Sequence, residues 1–217
     1  MKFLKWYNVR LILMFALVIF LYSFTSNRNS HRKLKKSEVI FVGENNNFVK
    51  QESVNKLLIE NSSDVKTIAK DELNLNKLEN SINAHPMIQK SEVFVSVDGV
   101  LKAVVQQKTP VARVVDEQGS FYIDYEGNTM PLSDNYTARV PLISGENNVK
   151  NKKKLSEVLK MIYDDEFLKK NIIGVQVLSD ESLLMSNRNF DYQIDFGKML
   201  NEEQKFKNYK AFFQKAV

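Results

Sequence analysis

The 217-residue chain is 43% hydrophobic, enough for an anchor plus one mid-sized domain or two small ones, which excludes wholesale disorder. Seven glycines and four prolines exclude a low-complexity chain, and zero cysteines exclude disulfides, thiolate metal sites, cysteine nucleophiles and an acylated lipoprotein cysteine. The net charge of +5 is concentrated in residues 1–36, which hold eight basic side chains and no acidic one; the rest, with 23 basic against 26 acidic groups, lacks the basic face that nucleic-acid binding needs.

The first element is apolar. Leu11, Ile12, Leu13, Met14, Phe15, Ala16, Leu17, Val18, Ile19, Phe20, Leu21 and Tyr22 follow one another without a break. With Trp6, Tyr7, Val9 and Phe24 the stretch reaches roughly 18–19 residues, the lower limit for crossing a ~30 Å hydrocarbon core. Trp6, Tyr7 and Tyr22 lie near its ends, as interfacial aromatic residues do. This predicts a tail over 1–8, a transmembrane helix over 9–26 and a polar, basic juxtamembrane linker over 27–37. The alternative is a cleaved signal peptide, with Ser23-Phe24-Thr25 as a weak cleavage site. Flanking charge leaves the orientation open, since three basic residues precede the span and five follow it closely.

A first folded unit is predicted over 38–107. Val39 to Val42 reads as a short strand closed by Gly43, and Val54, Leu57 and Leu58 mark one face of a helix. A second helix is expected with Asn76 as N-cap, Glu79 completing a capping box, and Leu75, Leu78 and Ile82 on its buried side. It should end near His85-Pro86. Val93, Val95 and Val97 alternate along one strand and Leu101, Ala103 and Val105 along the next. Asp98-Gly99 between them predicts a two-residue type I′ turn. The order is β-α-α-β-β, with both helices on one face of a three-stranded sheet.

A second unit spans 108–217. Val111, Arg113-Val114-Val115, Phe121-Tyr122-Ile123 and Thr129 to Leu132 read as an antiparallel meander. Leu155, Val158, Leu159 and Ile162 lie at i, i+3, i+4, i+7 and predict an amphipathic helix whose opening turn carries Lys152 to Lys154. A shorter helix over Asp165 to Lys170 precedes strands Ile172 to Leu178, Ser182 to Ser186 and Tyr192 to Phe196. Glu202-Glu203 then opens a last helix carrying Phe206, Tyr209 and Phe213.

No pattern of catalytic residues holds up. Ser53-Val54-Asn55-Lys56, Ser133-Asp134-Asn135 and Lys108-Thr109-Pro110 approximate the penicillin-binding motifs. Ser53 falls on the exposed side of its helix, however, the last two motifs are in the wrong order, and Pro110 replaces the needed glycine. His31 and His85 have no further ligand at metal spacing, and Asp164-Asp165-Glu166 reads as a helix start. The expectation is a binding protein with no cofactor, no metal and no small-molecule substrate. Open sheet edges are where such units receive a partner strand.

The stretch Leu73 to Gly145 resembles the FtsQ/DivIB family of bacterial cell-division proteins. The residues that carry the resemblance are Leu75 and Leu78, His85-Pro86-Met87-Ile88, Glu92-Val93, the Asp98-Gly99 turn and, above all, Gln106-Gln107-Lys108-Thr109-Pro110-Val111-Ala112-Arg113. Phe121-Tyr122-Ile123-Asp124 with Gly127, and Arg139 to Gly145, continue it. The resemblance implies an α+β ectodomain: a POTRA domain over 38–107, then a mixed β domain with flanking helices over 108–217. Gln107, Lys108, Pro110, Ala112 and Arg113 form the motif that joins them, with Lys108 where arginine is common. It further implies a single-pass protein of the bacterial inner membrane, enriched at the septum, with its N-terminus in the cytoplasm and its ectodomain in the periplasm. Its partners would be the membrane, FtsB- and FtsL-like proteins and the septal peptidoglycan synthase complex, and it would have no enzyme activity. A POTRA-bearing component of another envelope assembly or export complex is the alternative. The family continues past the last helix into a terminal strand; this sequence ends at Val217, so no residue of such a strand is nominated.

Overall fold

A computed structural model describes residues 6–30, 34–44, 46–59, 73–116, 119–145 and 152–216. Helix α1 (Trp6–Ser30) has 25 residues, about 37 Å at 1.5 Å per residue. Its large apolar side chains from Leu11 to Leu21 are 51–68% exposed, so none of the described residues covers them. Over Trp6–Arg28 the helix is long and apolar enough to cross a membrane. It also continues through Asn27 to Ser30, so the predicted linker begins as helix. Residues 31–33, with His31, lie outside the described residues. Leu34, also expected in the linker, is 2% exposed, and the Lys35 N–H donates to Gly99 O at 2.8 Å.

Packing divides the chain into two compact units, and the division is not contiguous in sequence. One comprises the described residues of Met1–Val42, Gln51–His85 and Lys90–Val105; the other those of Gly43–Lys50, Pro86–Gln89 and Gln106–Val217.

The first unit has the expected β-α-α-β-β order: β1 (Lys36–Val42), α2 (Gln51–Ile59), α3 (Leu75–Asn83), β2 (Ile88–Val95) and β3 (Val100–Gln107), of which Ile88-Gln89 at the start of β2 and Gln106-Gln107 at the end of β3 fall in the second unit. The strands lie in the order β1-β3-β2. Val54 and Leu58 of α2, Ile82 of α3 and Leu101, Ala103 and Val105 of β3 are each at most 2% exposed. Three sequence expectations need correction. The N-cap of α3 is Asn74, two residues before the predicted Asn76, and its side chain accepts the Lys77 N–H at 3.0 Å. Val97 lies outside β2 and is 92% exposed in the turn. The Asp98-Gly99 turn is not type I′, because only Gly99 has a positive φ, 86°. The Gly99 N–H donates to Ser96 O at 3.0 Å and the Ser96 N–H to Val100 O at 2.9 Å, which makes a three-residue loop closed by a left-handed glycine. The Ser96 hydroxyl favours this longer loop by bonding both Val100 O and Val100 N–H.

The second unit is built on one seven-stranded mixed sheet. Its strands are β4 (Pro110–Asp116), β5 (Gly119–Asp124), β6 (Thr129–Pro131), β7 (Leu142–Gly145), β8 (Ile172–Val177), β9 (Ser182–Asn187) and β10 (Gln193–Lys198), in the order β10-β9-β8-β7-β4-β5-β6. β4 to β6 form the expected antiparallel meander and β8 to β10 a second one. The unforeseen element is β7, which pairs parallel with both β4 and β8 and fuses the two meanders. Its parallel pairing with β8 requires a crossover, supplied by α4 (Lys152–Asp164) and α5 (Glu166–Asn171). Leu155, Val158, Leu159 and Ile162 of α4 are all buried, in one core with Val111, Val114, Ile143, Val175, Leu183 and Met185. Helix α6 (Glu202–Ala216) adds Phe206 and Tyr209 to that core, with Phe213 packed against it.

Candidate interaction surfaces

Gln107 ends β3 and is 2% exposed, so its amide must find partners inside the protein. Its Oε1 accepts the Phe48 N–H at 2.9 Å and the Val49 N–H at 3.0 Å, while Nε2 donates to Val49 O at 2.9 Å. The side chain thus acts on this segment as a neighbouring strand would. From the other side the Ser133 hydroxyl donates to Phe48 O at 2.6 Å, and Asn135 Nδ2 donates to the same oxygen at 3.1 Å. The Phe48 ring meets Tyr122 and Tyr136 edge-on. Tyr122, at 1% exposure, points away from the helix-covered face that Phe121 and Ile123 share, and its hydroxyl accepts the Ala138 N–H at 3.1 Å. Phe48 is therefore a plug on the opposite face of the sheet.

The rest of the motif fixes the start of β4. The Lys108 N–H donates to Met87 O at 2.9 Å. Lys108 Nζ stands 3.2 Å from Asp124 Oδ2 as an ion pair whose geometry is not that of a hydrogen bond. Asp124 is 2% exposed, and its other oxygen accepts the N–H groups of Glu126 and Asn128 at 3.0 and 2.8 Å, which folds the turn after β5. Pro110 faces Asp124 at a register break, where a residue without an N–H is tolerated. Ala112 is fully buried. The Arg113 N–H donates to Pro141 O at 2.9 Å, beside the parallel pairing of Arg113 with Leu142.

At the far end of the sheet β10 pairs, among the described residues, with β9. Helix α6 lies beside it, leaving a groove of about 480 Å³ lined by Tyr192, Ile194, Phe196, Lys205, Tyr209 and Phe212. Burial pushes the Tyr209 hydroxyl well above the usual tyrosine range; the Tyr192 hydroxyl reinforces this and the Asn187 amide, donating at 2.6 Å, opposes it. Lys210 of α6 pairs with Asp165, the N-cap of α5, whose Oδ1 accepts the Phe167 and Leu168 N–H groups. Burial raises the Asp165 pKa, but the hydrogen bonds from Lys210 and those two N–H groups outweigh it and hold the carboxyl below its ordinary value. Among the described residues no group of three or more His, Asp or Glu side chains is placed to hold a metal ion.

The family described as FtsQ/DivIB, C-terminal related, matches residues 109–217, just over half of the chain. The chain belongs to the FtsQ/DivIB family. The match begins one residue before β4, so it takes in the whole seven-stranded sheet and α6. A curated relative, Cell division protein FtsQ of Salinibacter ruber, is 36% identical over 64 residues, covering 28% of this chain and 25% of that protein. The chain therefore spans about a quarter of the length of that FtsQ.

Within this family member the nominated residues fall in separate places. The residues expected to form an anchor, Leu11 to Leu21, lie on α1, and Asp98 and Gly99 in the β2–β3 loop. Gln107 to Arg113 lie in the second unit, with the segments 43–50 and 86–89 that they bind. The penicillin-binding-like fragments have other duties: Ser53 is exposed on α2, Ser133 and Asn135 hold Phe48, and Lys108 pairs with Asp124. Asp164 accepts the Tyr125 hydroxyl at 2.9 Å, so the acidic triplet serves capping and packing. His85 is half-buried, which lowers its pKa. The Phe48 plug and Lys205 escape sequence reasoning, because a single aromatic residue in a loop and one lysine among several carry no periodicity.

Proposed function

We propose that this FtsQ/DivIB member is a non-enzymatic division-site scaffold. Helix α1 anchors it once in the cytoplasmic membrane, with the N-terminus in the cytoplasm and the two α+β units, a POTRA domain and a β domain, in the periplasm. There it links early and late division proteins by docking FtsB- and FtsL-like partners and the septal peptidoglycan synthase complex. The observation that carries this reading is the family match over the whole seven-stranded sheet. The apolar helix that no described residue covers and the outermost strands of the two sheets supply the physical means.

The test is capture of the full chain from native membranes, with depletion in parallel. Recovery of FtsB and FtsL homologues and filamentation of depleted cells are expected. Recovery of secretion or barrel-assembly components instead, with normal septation, would replace the reading with an envelope-assembly role. Labelling of Ser53 by a penicillin probe would contradict the absence of enzyme activity.

A further inference from the structure

How far a folded unit can stand from a membrane is set by the chain that ties it to its anchor. Helix α1 ends at Ser30. With the apolar run over 11–22 centred in a bilayer, Ser30 lies about 20 Å from the midplane at ~1.5 Å per residue, level with the outer headgroups. The next described residue, Leu34, is 2% exposed, and the Lys35 N–H donates to Gly99 O at 2.8 Å. The chain from Ser30 to Leu34 reaches at most about 14 Å, whatever its conformation. The first unit is therefore held by its Leu34 end within that distance of the headgroups. The same hydrogen bond sets the start of β1 beside the β2–β3 loop, so this loop lies at the tethered end of the unit.

Turn tips favour small polar residues and glycine, and Ser96, Asp98 and Gly99 fit that rule. Val97 does not. It is 92% exposed, the highest value of any large apolar side chain among the described residues, α1 included. Lys35 and Lys102 both act electrostatically on the Asp98 carboxylate, so two ammonium groups stand with that one carboxylate around the tip. Lys36 and Glu38, next along β1, pair with each other at 3.5 Å. A lone surface valine needs no explanation by itself. This one crowns a cationic tip tethered beside lipid headgroups, and an apolar group flanked by lysines suits an anionic bilayer surface. The tether supplies the rest, since a contact too weak to hold a free domain is populated when its partner surface is always within reach. We infer that the β2–β3 loop is a second membrane contact, with Val97 entering the headgroup layer and Lys35 and Lys102 meeting the phosphates of anionic lipids. The inference rests on the reading of α1 as an anchor, and it fixes which end of the first unit faces the bilayer.

The full chain has no cysteine, so one fluorophore can be attached at Val97→Cys, with Lys90→Cys, exposed near the other end of β2, as the reference. Each labelled chain is reconstituted into vesicles whose lipids carry a quencher at headgroup depth. The vesicles contain either phosphatidylglycerol or phosphatidylcholine alone. Flotation with the vesicles tests the anchor. In the anionic vesicles quenching at position 97 should exceed that at position 90 about twofold or more. It should fall toward the reference in uncharged vesicles, and in anionic ones when Lys35→Glu and Lys102→Glu are combined. Circular dichroism shows whether that double variant folds, and if it does not, the uncharged vesicles decide the same point without a substitution. A chain that floats but is quenched equally at both positions overturns the inference and leaves the anchor standing. A chain that does not float overturns both. Strong quenching at position 97 that ignores lipid charge overturns the role given to the two lysines.

Discussion

A glutamine amide inside a protein is an expense unless both of its ends are bonded, and Gln107 bonds three backbone groups of Phe48 and Val49. Gln107→Leu would leave two N–H donors and one carbonyl buried without those partners. Denaturant unfolding should show a loss of about 3 kcal/mol or more. The chemistry of this residue was foreseen only as part of a family motif; its partners lie 58 and 59 residues earlier in the chain. Gly145 is a second case. It has a φ of 95°, and a Cβ there would lie 2.1 Å from Val177 O, on the strand it pairs with. Gly145→Ala combines left-handed strain with a backbone clash, so thermal melting should show a destabilisation of about 2 kcal/mol or more.

Among the elements, the pair α5 and α6 has the clearest electrostatic tie. Asp165 caps α5 and pairs with Lys210, and its carboxyl lies below its ordinary value. A depressed carboxylate stabilises the fold fully above its unfolded pKa, near 4, and loses that contribution as pH falls through its lower folded value. The melting-temperature gap between the parent and Asp165→Asn should therefore be constant near neutrality and shrink below about pH 4. Asp165→Ala also removes the cap, a loss of about 1 kcal/mol at pH 7 measurable by urea unfolding. Tyr209→Phe should cost about 1 kcal/mol, since it deprives the Asn187 amide of its 2.6 Å acceptor. The helices with strong apolar periodicity, α4 above all, were legible in advance. β7 was not: it has four residues, only Ile143 is buried, and Leu142 is 44% exposed, so no alternation could announce it.

For the whole molecule, the exposed apolar surface of α1 predicts that the full chain stays with membranes through alkaline extraction, and that deleting Leu11 to Leu21 releases it. Recovery of the intact chain in the soluble fraction would contradict an uncleaved anchor. The sequence by itself determined the apolar N-terminal helix, the β-α-α-β-β order, the first meander, and the strands and helices that follow it, because each leaves a local trace: an apolar run, a period of two, or a period of 3.6. Only the tertiary structure decided that β7 joins both meanders in one mixed sheet, that segments 43–50 and 86–89 pack with the second unit, and that Gln107 and Lys205 serve backbone groups of other segments. Those are pairings between groups distant in sequence. Their free energy resides in closing the distance, and no local pattern of side chains records which distant partner will satisfy a polar group.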